Sequence, residues 1–230
     1  MPVRLRGELP AISRAAGWFP IVGALVGAGA GAISWLARPS LGPTVAAILA
    51  IALLVIATGA LHQDGLADCT DGLGIRGDRQ RRLAVMRDSS IGTFGALALL
   101  VWFALIVSAV AGVDRDHSWR TLIAIGASSR WAALIHARAT TPARNDGLGA
   151  GFAVTTAGLG FATITAALVT LGAAGFVDGL LAMWGAAAVA LLLAVWARGT
   201  LGGRTGDTLG ATVAIAEAVV AVIVLGVTAQ

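Results

Sequence analysis

Three carboxylates, Asp64, Asp68 and Asp71, stand at i, i+4 and i+7 in the run His62-Gln63-Asp64-Gly65-Leu66-Ala67-Asp68-Cys69-Thr70-Asp71-Gly72, directly after an apolar stretch over 43–61. That spacing puts them on one helical face. Without a counter-charge at the end of a membrane segment they would repel one another, and hard divalent cations bound through oxygen are the usual remedy. The chain has only 12 acids, yet Asp64, Asp68, Asp71, Asp78 and Asp88 crowd into one short stretch. The pattern suits Mg2+ clamping phosphate oxygens, as in metal-assisted phosphoryl transfer. The plainer alternative is a solvated acidic helix end, disfavoured because acids at a helix C-terminus oppose the macrodipole.

Other polar strings could join this chemistry. In Met86-Arg87-Asp88-Ser89-Ser90-Ile91-Gly92-Thr93, Arg87 could grip a phosphate and Asp88 complete a metal shell, while Ser89, Ser90 or Thr93 serves equally well as an N-cap. Arg79, Arg81 and Arg82 suit anionic lipid or solvent better than substrate. Gly202-Gly203-Arg204-Thr205-Gly206-Asp207-Thr208-Leu209-Gly210 is a Gly-rich turn whose N–H groups could cradle phosphate at a helix start. Asp207 is followed by Glu217 within an apolar stretch, where a carboxylate is functional or paired. Arg130, after Ser128-Ser129, is its counterpart, and simple mutual neutralisation is the structural alternative. His62 reads equally as a base or a helix-end hydrogen-bonding group, His136 as structural and His117 as solvated. Cys69 reads as a small filler, since hard cations prefer oxygen.

The elements that position these residues are membrane helices. The chain is 230 residues long, 57% hydrophobic and only 12% charged; soluble domains carry roughly 25% charge. The expected fold is all-α: a single polytopic integral membrane domain over 1–230 with about seven transmembrane helices. Apolar windows place them near 18–37, 43–61, 93–113, 119–136, 156–177, 180–197 and 211–228. The polar connections 62–92 and 198–210 are then the active-site loops. Gly23, Gly27 and Gly31 recur at a spacing that lets helices pack closely. No signal-peptide pattern is expected at the start.

All 16 basic residues are Arg. With seven spans and the N-terminus inside, the inner segments carry Arg4, Arg6, Arg14, Arg76, Arg79, Arg81, Arg82, Arg87, Arg138, Arg144, Arg198 and Arg204; the outer ones carry Arg38, Arg115 and Arg120. This positive-inside bias puts the acidic motif, the 137–150 loop and the 198–210 loop on the cytoplasmic face of the inner membrane. The arginines are scattered among loops, so nucleic acid is not an expected partner; the lipid bilayer is. Homo-oligomerisation is left open.

Taken together, the strings resemble the cobalamin synthase family, membrane-embedded adenosylcobinamide-GDP ribazoletransferases. The matching pieces are His-Gln-Asp-Gly-Leu-Ala-Asp-x-x-Asp-Gly (62–72), Met-Arg-Asp-Ser-x-Ile-Gly-Thr (86–93), Ser-Arg (129–130), Gly-Leu-Gly (147–149) and Gly-Gly-x-Thr-Gly-Asp-x-x-Gly-Ala (202–211) followed by Glu217, with Phe19-Pro20-x-Val22-Gly23 at the first span. Pro2-Val3-Arg4 matches the family's opening stretch only in part. Gln63 stands where a leucine is common and is read as inconsequential. The resemblance implies that α-ribazole, or its 5′-phosphate, is joined to adenosylcobinamide-GDP with release of GMP and a requirement for Mg2+. It would assign Asp64, Asp68, Asp71 and Asp88 to the metal shell, with Asp207 and Glu217 as a second site or a base. Arg87, Arg130 and Arg204 would hold phosphates with Ser89 and Thr205 beside them, and His62 would be an acid–base candidate.

Two other readings compete. Asp68-x-x-Asp71-Gly72 with Arg76 and Asp88 also resembles the metal motif of CDP-alcohol phosphatidyltransferases, but His62-x-Asp64 and the late Gly-Asp turn do not fit that pattern. A cation transporter would use Arg130 and Glu217 along a permeation path. Transporters place binding groups near the midplane, often in repeated halves, whereas here the acids gather at one face and no internal repeat is evident.

Overall fold

A computed structural model of the chain describes residues 15–228; the expectations for Pro2-Val3-Arg4, Arg4, Arg6 and Arg14 lie outside the described residues. A single turn of 3-10 helix (Ala16–Trp18) leads into α1 (Phe19–Ala57), followed by α2 (Leu61–Gly74), α3 (Arg79–Val85), α4 (Thr93–Gly112), α5 (Arg115–Ala139), α6 (Leu148–Gly151), α7 (Thr156–Ala174), α8 (Phe176–Leu201) and α9 (Gly206–Thr228). The only β pairing among the described residues is one isolated bridge between Pro142 and Arg204. An all-helical chain is what lipid demands, because a helix satisfies its own backbone donors and acceptors.

α1 is two arms rather than one rod. Gly42 leaves helical geometry (φ 77°, ψ 168°) between Pro39 and Pro43, a reversal that proline favours and that only glycine makes without strain. A Cβ at Gly29 would lie 3.6 Å from Leu53 Cδ2. In a straight helix these residues would be roughly 36 Å apart, so the arms run antiparallel, and the first two expected spans form this hairpin.

Five helical stretches among the described residues are long and apolar enough to cross a membrane: Ala16–Ala57, Thr93–Gly112, Thr156–Ala174, Phe176–Leu201 and Gly206–Val227. α5 is not among them, since it carries Arg120, Ser128, Ser129, Arg130 and His136. The reason is its place in the fold. From Ala124 to Leu134 every α5 residue is buried, and the helix packs against α1, α7, α8 and α9. A helix screened from lipid by its neighbours can hold polar groups that an outer helix cannot. Conversely, the exposed side chains are large and apolar, as with Leu25, Leu36, Leu100, Leu168, Trp184 and Leu192.

The glycine stripe on the first arm lies against α5. Cβ atoms at Gly23, Gly27 and Gly31 would stand 2.1, 2.2 and 2.8 Å from the backbone oxygens of Gly126, Leu122 and Trp119. Short connections at Gly42, Val113 and Gly175 close one end of the bundle. There Arg38 donates to the carbonyls of Ala111 (3.0 Å) and Val113 (2.6 Å), acceptors that the C-terminal end of α4 leaves without intrahelical donors. The longer segments 58–92, 140–155 and 202–205 gather at the other end, as Gly65 against Asp207, Arg204 against Thr141 and Phe19 against Phe152 attest.

Because backbone cannot yield to a new methyl group, Gly23→Ala should lower stability by about 1–3 kcal/mol. In a detergent melting experiment the midpoint should drop by roughly 2–12 °C. Gly160→Ala, where a Cβ meets nothing within 4 Å, should leave it unchanged; equal effects of the two changes would contradict this packing.

Candidate functional site

The stretch 62–92 is largely helical, not a loop. Gly59 (φ 60°) and Ala60 (φ 57°) break the chain out of α1 in left-handed geometry, and α2 starts at Leu61. Asp64 therefore sits in the first turn of a new helix, where the macrodipole favours a carboxylate. The expected conflict with a helix C-terminus therefore does not arise for Asp64, whereas Asp71 stands in the last turn of α2 and is satisfied by donors from another helix. The 198–210 segment is likewise shorter than expected: α8 runs to Leu201 and α9 begins at Gly206. Thr205 and Thr208 exchange hydrogen bonds at that start, Thr208 N–H to Thr205 Oγ1 (3.2 Å) and Thr205 N–H to Thr208 Oγ1 (3.0 Å), a capping box that occupies the Thr205 hydroxyl.

α2 meets the start of α9 at backbone distance. A Cβ at Gly65 would lie 2.6 Å from the Asp207 carbonyl oxygen, so glycine is what brings Asp64 and Asp68 beside Asp207. The expected cluster of Asp64, Asp68, Asp71 and Asp88 does not form as one shell. Among the described residues no three acid, histidine or cysteine side chains gather closely enough to hold an ion as they stand. Asp71 is the main reason. It is buried and turned toward α4, where Oδ2 accepts from Gly92 N–H (2.7 Å) and Oδ1 from Gly95 N–H (2.8 Å). It caps α4 from another helix, in place of the local cap expected at Ser89, Ser90 or Thr93. Asp88 stands in solvent and accepts from Ser90 N–H at 2.9 Å, which holds its carboxyl below the ordinary range.

The acids that do face one another are Asp64, Asp68 and Asp207. Burial, then the charges of Asp64, Asp207 and Asp71, push the Asp68 carboxyl from 3.8 up to about 7, with Arg144 acting in the opposite sense. A carboxylate set short of positive charge fits a hard cation. Mg2+ is usually held by one or two carboxylates plus substrate phosphates and water, so the lack of a closed protein cage is compatible with it.

Two cavities open here. One, about 220 Å³, is lined by Asp64, Arg87, Arg144, Asp146, Arg204, Thr205 and Asp207. The other, about 450 Å³, is lined by Gln63, Asp64, Asp68, Arg87, Asp88, Ser89 and Ser90, among others. Asp64 and Arg87 belong to both walls. Arg87 Nη2 reaches both oxygens of exposed Asp146 at 2.7 Å, and Arg144 Nη2 donates to Asp207 Oδ2 at 3.0 Å. Arg144 and Asp146 were not singled out from the sequence; the run Arg144-Asn145-Asp146-Gly147, charged residues before a turn glycine on the inner side, was the available signal.

Several expected site residues have other work. Arg204 is buried and braces the 140–152 segment, donating to the carbonyls of Thr140 and Phe152. Arg79 and Arg82 donate to the carbonyls of Ala143 (2.6 Å) and Gly72 (2.9 Å), and so brace the fold instead of facing lipid. Glu217 is fully buried and pairs with Arg130 at 2.6 Å, the structural alternative considered for them. Arg130 also reaches Ser129 Oγ (3.0 Å) and lies 3.5 Å from His62 Nδ1. Burial and then the Arg130 charge lower the His62 pKa to about 3, so the imidazole is neutral at pH 7. His62, Arg130 and Glu217 line neither cavity. His136 bonds Thr212 Oγ1 (2.7 Å) in the core and exposed His117 bonds Asp114 (2.6 Å). Cys69 is buried among Met86, Ala143, Leu201 and Ala211, and burial pushes its thiol up.

Known proteins share this chain's sequence over nearly its full length. A family model described as cobalamin-5-phosphate synthase matches residues 1–225. An adenosylcobinamide-GDP ribazoletransferase of Rhizobium etli (strain CIAT 652) is 37% identical, over 92% of this chain and 84% of its own length. Proteins of the same name from Klebsiella pneumoniae subsp. pneumoniae and Allorhizobium ampelinum are 37% and 41% identical, over 94% and 92% of this chain and 90% and 84% of their own lengths. No solved structure matches.

The Asp68 environment fixes a pH dependence. Its folded-state value lies above the unfolded one, so the stabilisation is complete below about pH 4 and is lost as pH rises through about 7. In chelator-treated protein the melting midpoint should fall between about pH 5 and about pH 8. Asp68→Asn should flatten that slope, and parallel curves for the two proteins would refute the assignment.

Proposed function

The chain belongs to the cobalamin-5-phosphate synthase family, and from that premise we propose that it joins α-ribazole, or its 5′-phosphate, to adenosylcobinamide-GDP. The products are adenosylcobalamin, or its phosphate, and GMP. The observation that carries the reading is the meeting of Asp64, Asp68 and Asp207 with Arg87 and Arg144 at two adjoining cavities. A bisubstrate transfer between two bulky molecules needs two pockets with one shared wall where phosphorus and hydroxyl meet. The names of the relatives favour this reaction over a CDP-alcohol transfer or ion transport.

The ribose 3′-hydroxyl attacks the cobinamide-linked phosphorus of the pyrophosphate. A new O–P bond forms as the bond to the GMP oxygen breaks, and the hydroxyl proton passes to a carboxylate of the cluster. Negative charge spreads over the transferred group and the leaving oxygen. Arg87 and Arg144 face it from the shared wall and the smaller cavity, held ready by Asp146 and Asp207 until phosphate oxygens displace those carboxylates. Asp64, Asp68 and Asp207 would hold Mg2+, and Asp88 lines the same larger cavity as Asp64 and Asp68. Mg2+ bound there would supply further positive charge for the leaving GMP. Asp71 acts at one remove by fixing the 86–92 segment, and Arg204 and Thr205 build the turn that carries Asp207.

The reading includes seven membrane crossings: both arms of α1, then α4, α5, α7, α8 and α9. The site end of the bundle carries Arg76, Arg79, Arg81, Arg82, Arg87, Arg138, Arg144, Arg198 and Arg204, against Arg38, Arg115 and Arg120 at the other. This charge bias supports a site that faces the cytoplasm from the inner membrane.

Asp68→Asn should lower GMP release from adenosylcobinamide-GDP and α-ribazole 5′-phosphate by at least about 100-fold while insertion and yield are kept. Full activity of the variant at limiting Mg2+ would sink the proposed role of the carboxylates. For topology, Asp78→Cys should react with an impermeant maleimide only from the cytoplasmic side, buried Cys69 giving little background; reaction only from the outside would invert the arrangement.

A further inference from the structure

The two cavities differ in size and in the chemistry of their walls. Leu61 and Ala150 are the only apolar side chains on the smaller one, which is otherwise arginine, aspartate, Thr205 and glycine. The larger one is divided. Asp64, Asp68 and Arg87 bring charge to it, while Ala60, Ile91 and Leu99 give it apolar surface. Ile91 is 59% exposed, and Ala60 and Leu99 are half-buried, so part of each stays open to contact. Leu99 lies six residues into α4, about 9 Å along its axis from Thr93 at the site end. The apolar part of the cavity thus extends toward the hydrocarbon, where a diphosphate would be costly to bury and an uncharged ring would not. The volumes agree with this division. Sites for drug-sized ligands span roughly 300–1,000 Å³; the larger cavity, about 450 Å³, falls in that range, and the smaller, about 220 Å³, falls below it.

We propose that the larger cavity is the acceptor site, where Ile91 and Leu99 contact the uncharged aromatic base of α-ribazole and determine which bases are accepted. The inference rests on the transferase reading and deepens it by assigning a substrate to each cavity. The base is a dimethylbenzimidazole, flat and apolar, and it matches the wall that the charged groups leave free. Its ribose then lies on the side of Asp64 and Asp68, next to the wall that Arg87 and Asp64 share with the smaller cavity. A corrinoid carrying a nucleoside diphosphate outgrows both cavities. Its diphosphate meets Arg87 and Arg144 in the smaller one, and the corrinoid stays at the mouth.

The test uses the full-length protein with Mg2+ and saturating adenosylcobinamide-GDP, and compares α-ribazole 5′-phosphate with its analogue lacking the two ring methyl groups. One carbon more or less in an apolar pocket changes selectivity roughly 10–200-fold, so the wild type should favour the methylated base by at least about tenfold in kcat/KM. Leu99→Ala and Ile91→Ala should each narrow that preference to within about threefold, and KM for adenosylcobinamide-GDP should stay within about twofold of wild type. Leu99 also packs against the core, so Leu99→Ala can melt lower; Ile91→Ala, at an exposed position, should keep the wild-type midpoint and decides the question alone. The proposal is overturned if the wild type shows no preference, if Ile91→Ala keeps the full preference, or if only the adenosylcobinamide-GDP KM rises, which would give the larger cavity to the donor. Failure of the wild type to release GMP with either acceptor would instead sink the transferase reading. The thermal shift given by each acceptor then decides the assignment: larger for the methylated base in the wild type and equal for both in Ile91→Ala if it holds, and the same for both in the wild type if it does not.

Discussion

An arginine and a glutamate shut away from water hold the centre of this molecule. Arg130 on α5 and Glu217 on α9 meet at 2.6 Å with almost no solvent exposure, and His62 of α2 lies against the same guanidinium. Either charge alone would be intolerable in an apolar bundle, and loss of one partner from such a pair typically costs about 3–5 kcal/mol. The pair therefore fixes how the polar central helix sits against the last helix. Through His62 it also fixes how the short acidic helix docks on both. The three elements that carry or support the carboxylates share this one buried contact, although none of its members reaches the cavities.

Above it, charges of both signs are interleaved at close range. Asp207 is matched by Arg144, Arg87 by Asp146, and α4 is capped by Asp71. Asp68 is left short of positive charge, and it is the point at which an added cation or a substrate phosphate would change the balance most. Of the arginines that line the cavities, Arg87 and Arg144 already hold a carboxylate of the protein, and Arg204 is held by backbone carbonyls. Phosphate would thus exchange one charge-assisted pairing for another, without uncovering a naked cation at the membrane surface.

The inverted composition of the bundle follows from the same physics. Large apolar side chains face outward, where lipid tails accept them, and small residues line the helix contacts, where dispersion and close approach hold the helices together. Gly23 against Gly126 and Gly65 against the start of α9 are two uses of one device. The first sets a register in the bundle, and the second sets the distance between two acids on different helices.

The sequence by itself determined that this is a helical membrane protein, that Gly23, Gly27 and Gly31 are packing positions, that Arg130 and Glu217 must be functional or paired, and that the acids crowd around Asp64 and Asp68. Those conclusions rest on local composition and spacing, which hydropathy and charge cost make legible one segment at a time. Only the tertiary structure decided that Asp71 and Arg204 spend their hydrogen bonds on backbone, and that Arg144 and Asp146 enter the cavity walls. It also decided that Asp64 begins a new helix, with Asp68 and Asp71 further along it. Each of these depends on a partner far away in the chain: Asp71 on Gly92 and Gly95, Arg144 on Asp207, Arg204 on Thr140 and Phe152. A side chain's residue type states what it can bond to; which partner it gets is set by the packing of helices that sequence spacing does not encode.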